Sequence, residues 1–285
     1  MYFHHRQFCK RKPQGRIFTS SPKYDIIRKT THGGIPLKIT EYSLAMPGAP
    51  ALTMVLAADL HCRKYEKAMA ALKDIRPDLV VSSGDMMHNC ADFRVDESFN
   101  LPGLTFLTEA AGIAPVYLSV GNHERAMMPE NRNILAERGI ILLDNEWTRA
   151  HGMVIGGLSS PLRLRYRRMD PTPEPDMEML SGFAAEEGFH LLLNHHPEYW
   201  PALICGSGIQ LTLSGHAHGG QWHLFGRDIF APGQGFFPKY ASGLHRSDAG
   251  ETLIVSRGMT NTVPMAPRFG NPTEFVVIRL TGETA

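Results

Sequence analysis

The chain of 285 residues is 43% hydrophobic and 20% charged, a balance that suits a folded, well-cored domain and excludes a disordered or fibrous protein. Its formal net charge of +1, with a pI near 7.8, excludes a global basic field of the kind that gathers nucleic acid, so any selectivity for anions must be local. Four cysteines, Cys9, Cys62, Cys90 and Cys205, stand far apart without CxxC pairing, which argues against a zinc knuckle or a disulfide framework and for free thiols in a reducing compartment.

The opening stretch MYFHHRQFCKRKPQGRIF is basic and lacks the apolar segment that an export signal or membrane span requires. No uninterrupted apolar run of about 18 residues follows it either. These features predict a cytoplasmic protein whose basic arm is able to touch an anionic surface, such as the periphery of a membrane. Residues 1–32 read as a polar, flexible lead-in and 33–285 as a single domain, with the Pro-rich PTPEP at 171–175 as an exposed connection. Nothing in the pattern specifies an oligomeric state.

Residues 53–58 form the first of five short apolar runs and end at Asp59. After the turn at 62–64, Tyr65, Ala68, Met69, Leu72 and Ile75 recur at helical spacing and predict an amphipathic helix. The runs 79–83 and 116–120 come next, ending at Gly84–Asp85 and at Gly121 and Asn122. A second helix is predicted over 132–137, closed by Arg138 and Gly139. The runs 191–193 and 209–214 end at Asn194 and His195 and at Gly215 and His216. Runs this apolar suit strands covered on both faces, and their alternation with helices predicts a largely parallel, layered α/β fold. In such folds the ligand site lies beyond the carboxyl ends of the strands.

Each run ends in a polar cluster: ADLH (58–61), GDMMH (84–88), GNHE (121–124), NHHP (194–197) and GHAH (215–218). Taken singly they have local explanations. Asp59 could cap the following helix, Asp85 could sit in a turn, Asn122 could occupy a left-handed turn, and His216 and His218 could be surface loop residues. Taken together, Asp59, His61, Asp85, Asn122, His195, His216 and His218 offer imidazole nitrogen and side-chain oxygen without thiolate. That donor set suits Mn, Fe or Zn rather than a structural Cys-rich zinc site. Seven side chains are too many for one ion and divide between two divalent metal ions if one carboxylate bridges them.

The ordered set DxH, GD, GNH, HxP and GHxH, spanning residues 59–218, resembles the calcineurin-like metallophosphoesterase superfamily. GHAHGGQ, the tail SGLHRSDAGETLIVSRGMTNTVPMAPRFGNPTEFVVIRL and the upstream LKITEYSL are similar to its YkuE/YaeI-type bacterial phosphodiesterase branch, extending the resemblance over residues 36–281. The resemblance implies a four-layer αββα sandwich, two mixed β-sheets flanked by helices, with a dinuclear site at its edge. It further implies that Asp59, His61 and His218 hold one ion, that Asn122, His195 and His216 hold the other, and that Asp85 bridges. The family's histidine stands two before the proline, which selects His195 in NHHP and leaves His196 structural. His123 would be the proton donor. Glu124 and Ala217 fill places where the family varies. Many relatives of the branch carry an N-terminal anchor or export signal that is not visible here.

At such a site two divalent ions, less two carboxylates and a shared hydroxide, leave a surplus of about one positive charge to draw in a phosphate ester. The expected activity is that of a phosphohydrolase, a phosphodiesterase or pyrophosphatase, with the bridging hydroxide as in-line nucleophile, His123 as general acid and Mn as the ion loaded in vitro. A noncatalytic scaffold of the same fold is the alternative. Among enzymes, a UDP-diacylglucosamine-type lipid pyrophosphatase stands against a cyclic-nucleotide phosphodiesterase. Arg163, Arg165, Arg167 and Arg168, in 162–170, read either as a clamp for a second phosphate or as a solvated face. His88 and Asn89 follow the GD turn, at the mouth of the expected site. Phe230, Phe236, Phe237 and Tyr240, in 229–240, read either as an apolar wall for an acyl chain or as loop aromatics folded into the core.

Overall fold

The computed structural model of the protein describes residues 28–29, 37–88, 102–124, 129–164, 172–260 and 268–283. In chain order its first half runs β1 (Arg28–Lys29), β2 (Leu37–Pro47), β3 (Leu52–Ala57), α1 (Glu66–Ile75), β4 (Leu79–Ser82), α2 (Pro102–Ala111), β5 (Val116–Ser119), α3 (Pro129–Glu137) and β6 (Ile140–Leu143). The second half runs β7 (Glu146–Ala150), β8 (Met153–Leu158), α4 (Met177–Ala184), β9 (Phe189–Asn194) and β10 (Leu211–Ser214). Two small hairpins follow, β11 (His223–Leu224) with β12 (Arg227–Asp228) and β13 (Phe230–Ala231) with β14 (Gly235–Phe236). The chain closes with β15 (Gly243–Arg246), β16 (Thr252–Val255) and β17 (Thr273–Glu283).

The strands assemble into two mixed sheets, ordered β1-β2-β17-β3-β4-β5-β6 and β15-β16-β10-β9-β8-β7. Within the first, β3 to β6 run parallel and β17 returns antiparallel beside β3; within the second, β8, β9, β10 and β16 run parallel. Strands β4, β5, β9 and β10 are buried at every position because each face is covered. Leu56, Val81, Leu191, Leu213, Ile254 and Val276 pack between the sheets. The outer face of the first sheet carries Val55, Val80 and Leu118 against Leu72, Phe106 and Leu135 of the helices. On the outer face of the second, Val154, Leu192 and Leu253 meet Phe183 of α4 and Trp200 and Ile204 of the helical turns at Pro197–Tyr199 and Trp200–Ile204. The result is the expected four-layer αββα sandwich.

The five predicted strands are present with ends shifted by one or two residues, and α1 buries Ala68, Met69 and Leu72 on the expected face. The second predicted helix starts earlier, at Pro129, and stops where Gly139 takes a φ of 74°. In the expected exposed connection at 171–175, Pro173 and Glu174 are exposed, whereas Pro175 is buried and the Thr172 hydroxyl donates to Glu198 at 2.7 Å; Pro171 lies outside the described residues. Cys62 and Cys205 are thiols. Cys9, Cys90, Asn89 and most of the 1–32 lead-in lie outside the described residues, as do the side chains of Arg163, Arg165, Arg167 and Arg168. No helix among the described residues is long and apolar enough to cross a membrane.

Leu213 is fully buried between the sheets. Leu213→Ala is expected to lower unfolding stability by about 2 to 5 kcal/mol in urea titration, the range for deleting a buried leucine side chain. A loss well under about 1 kcal/mol would contradict tight packing of the inter-sheet layer.

Candidate metal centre

The polar clusters sit at the carboxyl ends of β3, β4, β5, β9 and β10, three from one sheet and two from the other. Backbone bonds carry the β3–β4 pairing past the strands into the loops: Asp59 N–H donates to Gly84 O at 3.1 Å, His61 N–H to Asp85 O at 2.9 Å and Cys62 N–H to Met86 O at 3.0 Å. The loops after β4 and β5 lie flat on one another. A Cβ on Gly84 would overlap the backbone of Gly121, and one on Gly121 would overlap the Asp85 carboxylate, so neither position admits a side chain.

Five of the seven predicted ligands, Asp59, His61, Asp85, His216 and His218, hold a left-handed φ between 48° and 66°. The conformation costs an L-residue on the order of 1 kcal/mol and clusters where side chains must be aimed at a common point. Asp59 is no helix cap, because α1 begins at Glu66 behind Tyr65 with no side-chain cap bond.

All seven predicted residues converge. Ligand atoms of Asp59, His61 and His218 lie within 4.8 Å of one another, as do those of Asp85, His195 and His216. Asp85 Oδ2 stands between the groups, 3.7 Å from His61 Nε2 and 3.1 Å from His195 Nε2. Asp59 Oδ1 lies 3.9 Å from His61 Nε2 and 3.6 Å from His218 Nε2, and Asn122 Oδ1 lies 3.0 Å from His195 Nε2. Two contacts fasten the sheets to each other here. The His216 N–H donates to the Asp59 carboxylate at 3.1 Å, and His195 Nδ1 meets Ser83 O at 2.9 Å. A carbonyl can only accept, so His195 carries a proton on Nδ1. Burial disfavours its charged form, but the Asp85 carboxylate beside Nε2 raises the ring to about 9, so Nε2 is protonated as well and would have to give up that proton to bind an ion.

Burial dominates the electrostatics. It pushes the Asp59 carboxyl up to about 7 against the pull of His195, with the Asp85 charge adding to the rise. For Asp85 burial also opposes ionisation, yet His195, His61 and His123 together outweigh it and hold this carboxyl well below the carboxylate range. Burial drives His61 down to about 3 and His216 and His218 well below the usual imidazole range, so all three are neutral, the form in which imidazole binds a metal.

His123 is held through its backbone N–H, which donates to Asp85 Oδ1 at 2.7 Å, and its ring lies edge-on to His61 at 4.7 Å. His88 does reach the mouth: its ring stacks on His123 at 4.8 Å, and its Nδ1 stands 3.3 Å from His61 Nδ1. His196 joins neither carboxylate. It lies between Ser160 Oγ at 2.6 Å and Glu198 Oε1 at 3.2 Å, with its ring against His216 at 4.3 Å, where it props that ligand. The aromatic loop divides: Tyr240 is buried against Trp200, whereas Phe236 and Phe237 are exposed.

Three supporting residues escape a reading by ligand type. Glu124 is buried and accepts N–H bonds from Gly121 at 2.7 Å, Asp85 at 2.8 Å and Met87 at 3.0 Å, clamping the GD and GN loops together. Arg268 places Nη2 3.1 Å from His218 Nδ1 and donates Nη1 to Arg257 O at 2.6 Å. Asn271 donates to the backbone carbonyls of His218 at 2.7 Å and Gln221 at 3.2 Å. The glutamate was visible beside its motif, but a clamp on amides leaves no spacing signature. The other two stand some 50 positions from the histidine they serve.

With this geometry in view, the comparisons define the class. The family model for calcineurin-like phosphoesterases matches residues 52–220, and the chain belongs to that family. It is accordingly a phosphoester hydrolase. The chain is 26% identical over 260 residues to the uncharacterized Bacillus subtilis protein YpbG, covering 88% of this chain and 90% of that one. It is 24% identical over 265 residues to an uncharacterized metallophosphoesterase of Aquifex aeolicus, covering 87% and 93%. Among solved structures, a dimetal phosphatase from Danio rerio aligns at 13% identity over 81% of this chain and 93% of that chain, with a TM-score of 0.47.

Glu124→Ala strands three buried amide donors and is expected to cost at least about 2 kcal/mol of stability in urea titration, with Glu124→Gln recovering part of it through its remaining carbonyl. Equal losses in both variants would show that the amide bonds are not what the side chain contributes.

Proposed function

We propose that the two groups joined at Asp85 hold two divalent ions and that the chain hydrolyses phosphodiester or pyrophosphate bonds. The observation that carries this reading is one carboxylate oxygen facing an imidazole nitrogen from each group, 3.7 Å from His61 and 3.1 Å from His195. The residues fit such ions in two further respects. His61 Nε2 and His216 Nε2 are buried without a hydrogen-bond partner, and these two imidazoles stay neutral beside the buried carboxylates Asp59 and Asp85. In this reading Asp59, His61 and His218 bind one ion and Asn122, His195 and His216 the other, with Asp85 shared between them.

Bound divalent ions supply an activated water and withdraw charge from phosphoryl oxygens. The chain's own groups do the rest. Asp85 fixes the position of His123 through its backbone N–H, which sets the imidazole beside His61 at the exposed side of the site. From there His123 protonates the departing oxygen, which an alkoxide leaving group needs and an activated phenolate does not. A guanidinium only donates, so Arg268 makes His218 Nδ1 an acceptor and places the proton of the neutral ring on Nε2; holding an ion at Nε2 would require that proton to shift to Nδ1 and the Arg268 contact to be given up.

Manganese is the ion for the first assay. The loaded protein is expected to retain two ions per chain by elemental analysis and to hydrolyse bis(p-nitrophenyl) phosphate, and Asp85→Asn is expected to lose metal and turnover together. A folded, metal-replete protein inert towards diesters, monoesters and nucleotide diphosphate sugars would leave the noncatalytic scaffold instead. His123→Ala should lower kcat on alkyl esters by about 10² to 10⁴ while largely sparing p-nitrophenyl esters. Equal loss on both substrate types would remove His123 from the proton-donor role.

A further inference from the structure

We propose that the two hairpins following His218 form a docking surface for a phospholipid bilayer. Trp222, Phe225, Phe236, Phe237 and Phe269 are all exposed, Phe225 completely. Backbone contacts bring the segments that carry them together. Trp222 bridges to Phe269, Ile229 N–H donates to Trp222 O at 2.9 Å, Phe237 N–H donates to Ile229 O at 2.9 Å, and Phe230 and Phe236 meet with ring centroids 5.5 Å apart. Concentrated exposed apolar surface of this kind marks an interaction site rather than ordinary surface scatter.

Folding does not explain the choice of residues. Phe225 and Phe237 hold left-handed φ values of 50° and 55°, positions where glycine or asparagine sits without penalty. A phenylalanine there accepts backbone strain, and being exposed it gains no burial in return. The apolar ring has its use outside the molecule.

The form of the surface selects the occupant. Phe225 stands at the turn of one short hairpin and Phe236 on the other, with Phe237 just beyond the second and Trp222 bridged to Phe269 beside the first, so a rigid protein partner would have to match several separate protrusions, whereas a bilayer admits apolar wedges without a preformed complement. Exposed Arg227 lies two residues from Phe225, and exposed Lys239 two residues from Phe237, which puts cations at headgroup level when the rings enter the acyl region. Asp228, adjacent to Arg227 in the chain, is itself engaged with His223 at 2.7 Å. The hairpins adjoin the candidate metal centre along the chain, because β11 begins five residues after His218 and Asn271 ties the carbonyls of His218 and Gln221 together.

The test is co-sedimentation of the full-length protein with vesicles of phosphatidylcholine alone and with about one third phosphatidylglycerol. The wild type is expected to pellet with the anionic vesicles. The double variant Phe225→Ser, Phe237→Ser should lower the bound fraction at least about tenfold with an unchanged melting temperature. Arg227→Gln with Lys239→Gln should weaken binding to the anionic vesicles at low salt and leave neutral vesicles unaffected. Wild type that stays in the supernatant overturns the proposal, as does pelleting that survives the double phenylalanine substitution. A wild-type dimer that the same substitution dissolves, without vesicle binding, also overturns it in favour of a protein interface. Melting temperature and pelleting do not depend on turnover, so failure here is separable from failure of the hydrolase reading.

Discussion

Two carboxylates share a water-poor seam between the sheets, and the rest of the structure is arranged around that fact. Asp59 and Asp85 are both buried, and each is approached by imidazoles supplied from the opposite sheet. Burying a charge is costly unless opposite charge or hydrogen bonds offset it. Part of the compensation is built from backbone: Asp59 accepts the His216 N–H and Asp85 the His123 N–H. His195, protonated beside Asp85, supplies part of the remainder, whereas His61, His216 and His218 stay neutral and supply none. A divalent pair would supply the rest, which is why the same residues that fasten the sheets also compose the candidate centre.

The local price is conformational. Left-handed φ values at five of the seven predicted ligands and loops stacked too closely for a Cβ oppose folding. The strands beneath supply what holds them: the inter-sheet layer is fully buried at Leu56, Val81, Leu191 and Leu213, and the β3–β4 ladder runs on into the loops. Rigid strand ends carrying strained loops are a way to aim side chains without spending side-chain entropy on the aim.

Much of this was legible in the sequence, and the reason is the coincidence of two signals. Short apolar runs announce strands buried on both faces, and each run here stops at a polar cluster, so order along the chain already implied convergence. What failed to show was of two kinds. β2 was identifiable as a strand only through the resemblance carried by LKITEYSL, because it offers no continuous apolar run, and its pairing with β17 over eleven residues has no local signature. Glu124, Arg268 and Asn271 work on backbone or on a histidine far away in sequence, and no spacing rule connects them. The aromatic segment at 229–240 was ambiguous for a different reason: composition does not separate a ring facing Trp200, as Tyr240 does, from a ring facing solvent, as Phe237 does.

The family match ends at Gly220, yet the candidate centre depends on chain beyond it. Met259 N–H donates to Ala58 O at 2.9 Å, and the Thr260 hydroxyl reaches the carbonyls of Asp59 and Leu60 at 3.1 Å, so the loop carrying the first carboxylate is held from the C-terminal side. Glu274 N–H then donates to Gly258 O as the chain enters β17, which lies directly beside β3. Inserting the last strand next to the strand that bears Asp59 makes closure of the sheet and setting of that loop one event. Arg268 and Asn271 lie on the same returning segment, and both act on His218, so one stretch of tail restrains both ends of the group formed by Asp59, His61 and His218. The segment also sets Phe269 against Trp222, which couples the aromatic rim to the same closure. A chain lacking this return would keep all seven predicted ligand residues in sequence while losing the framework that points them at one another.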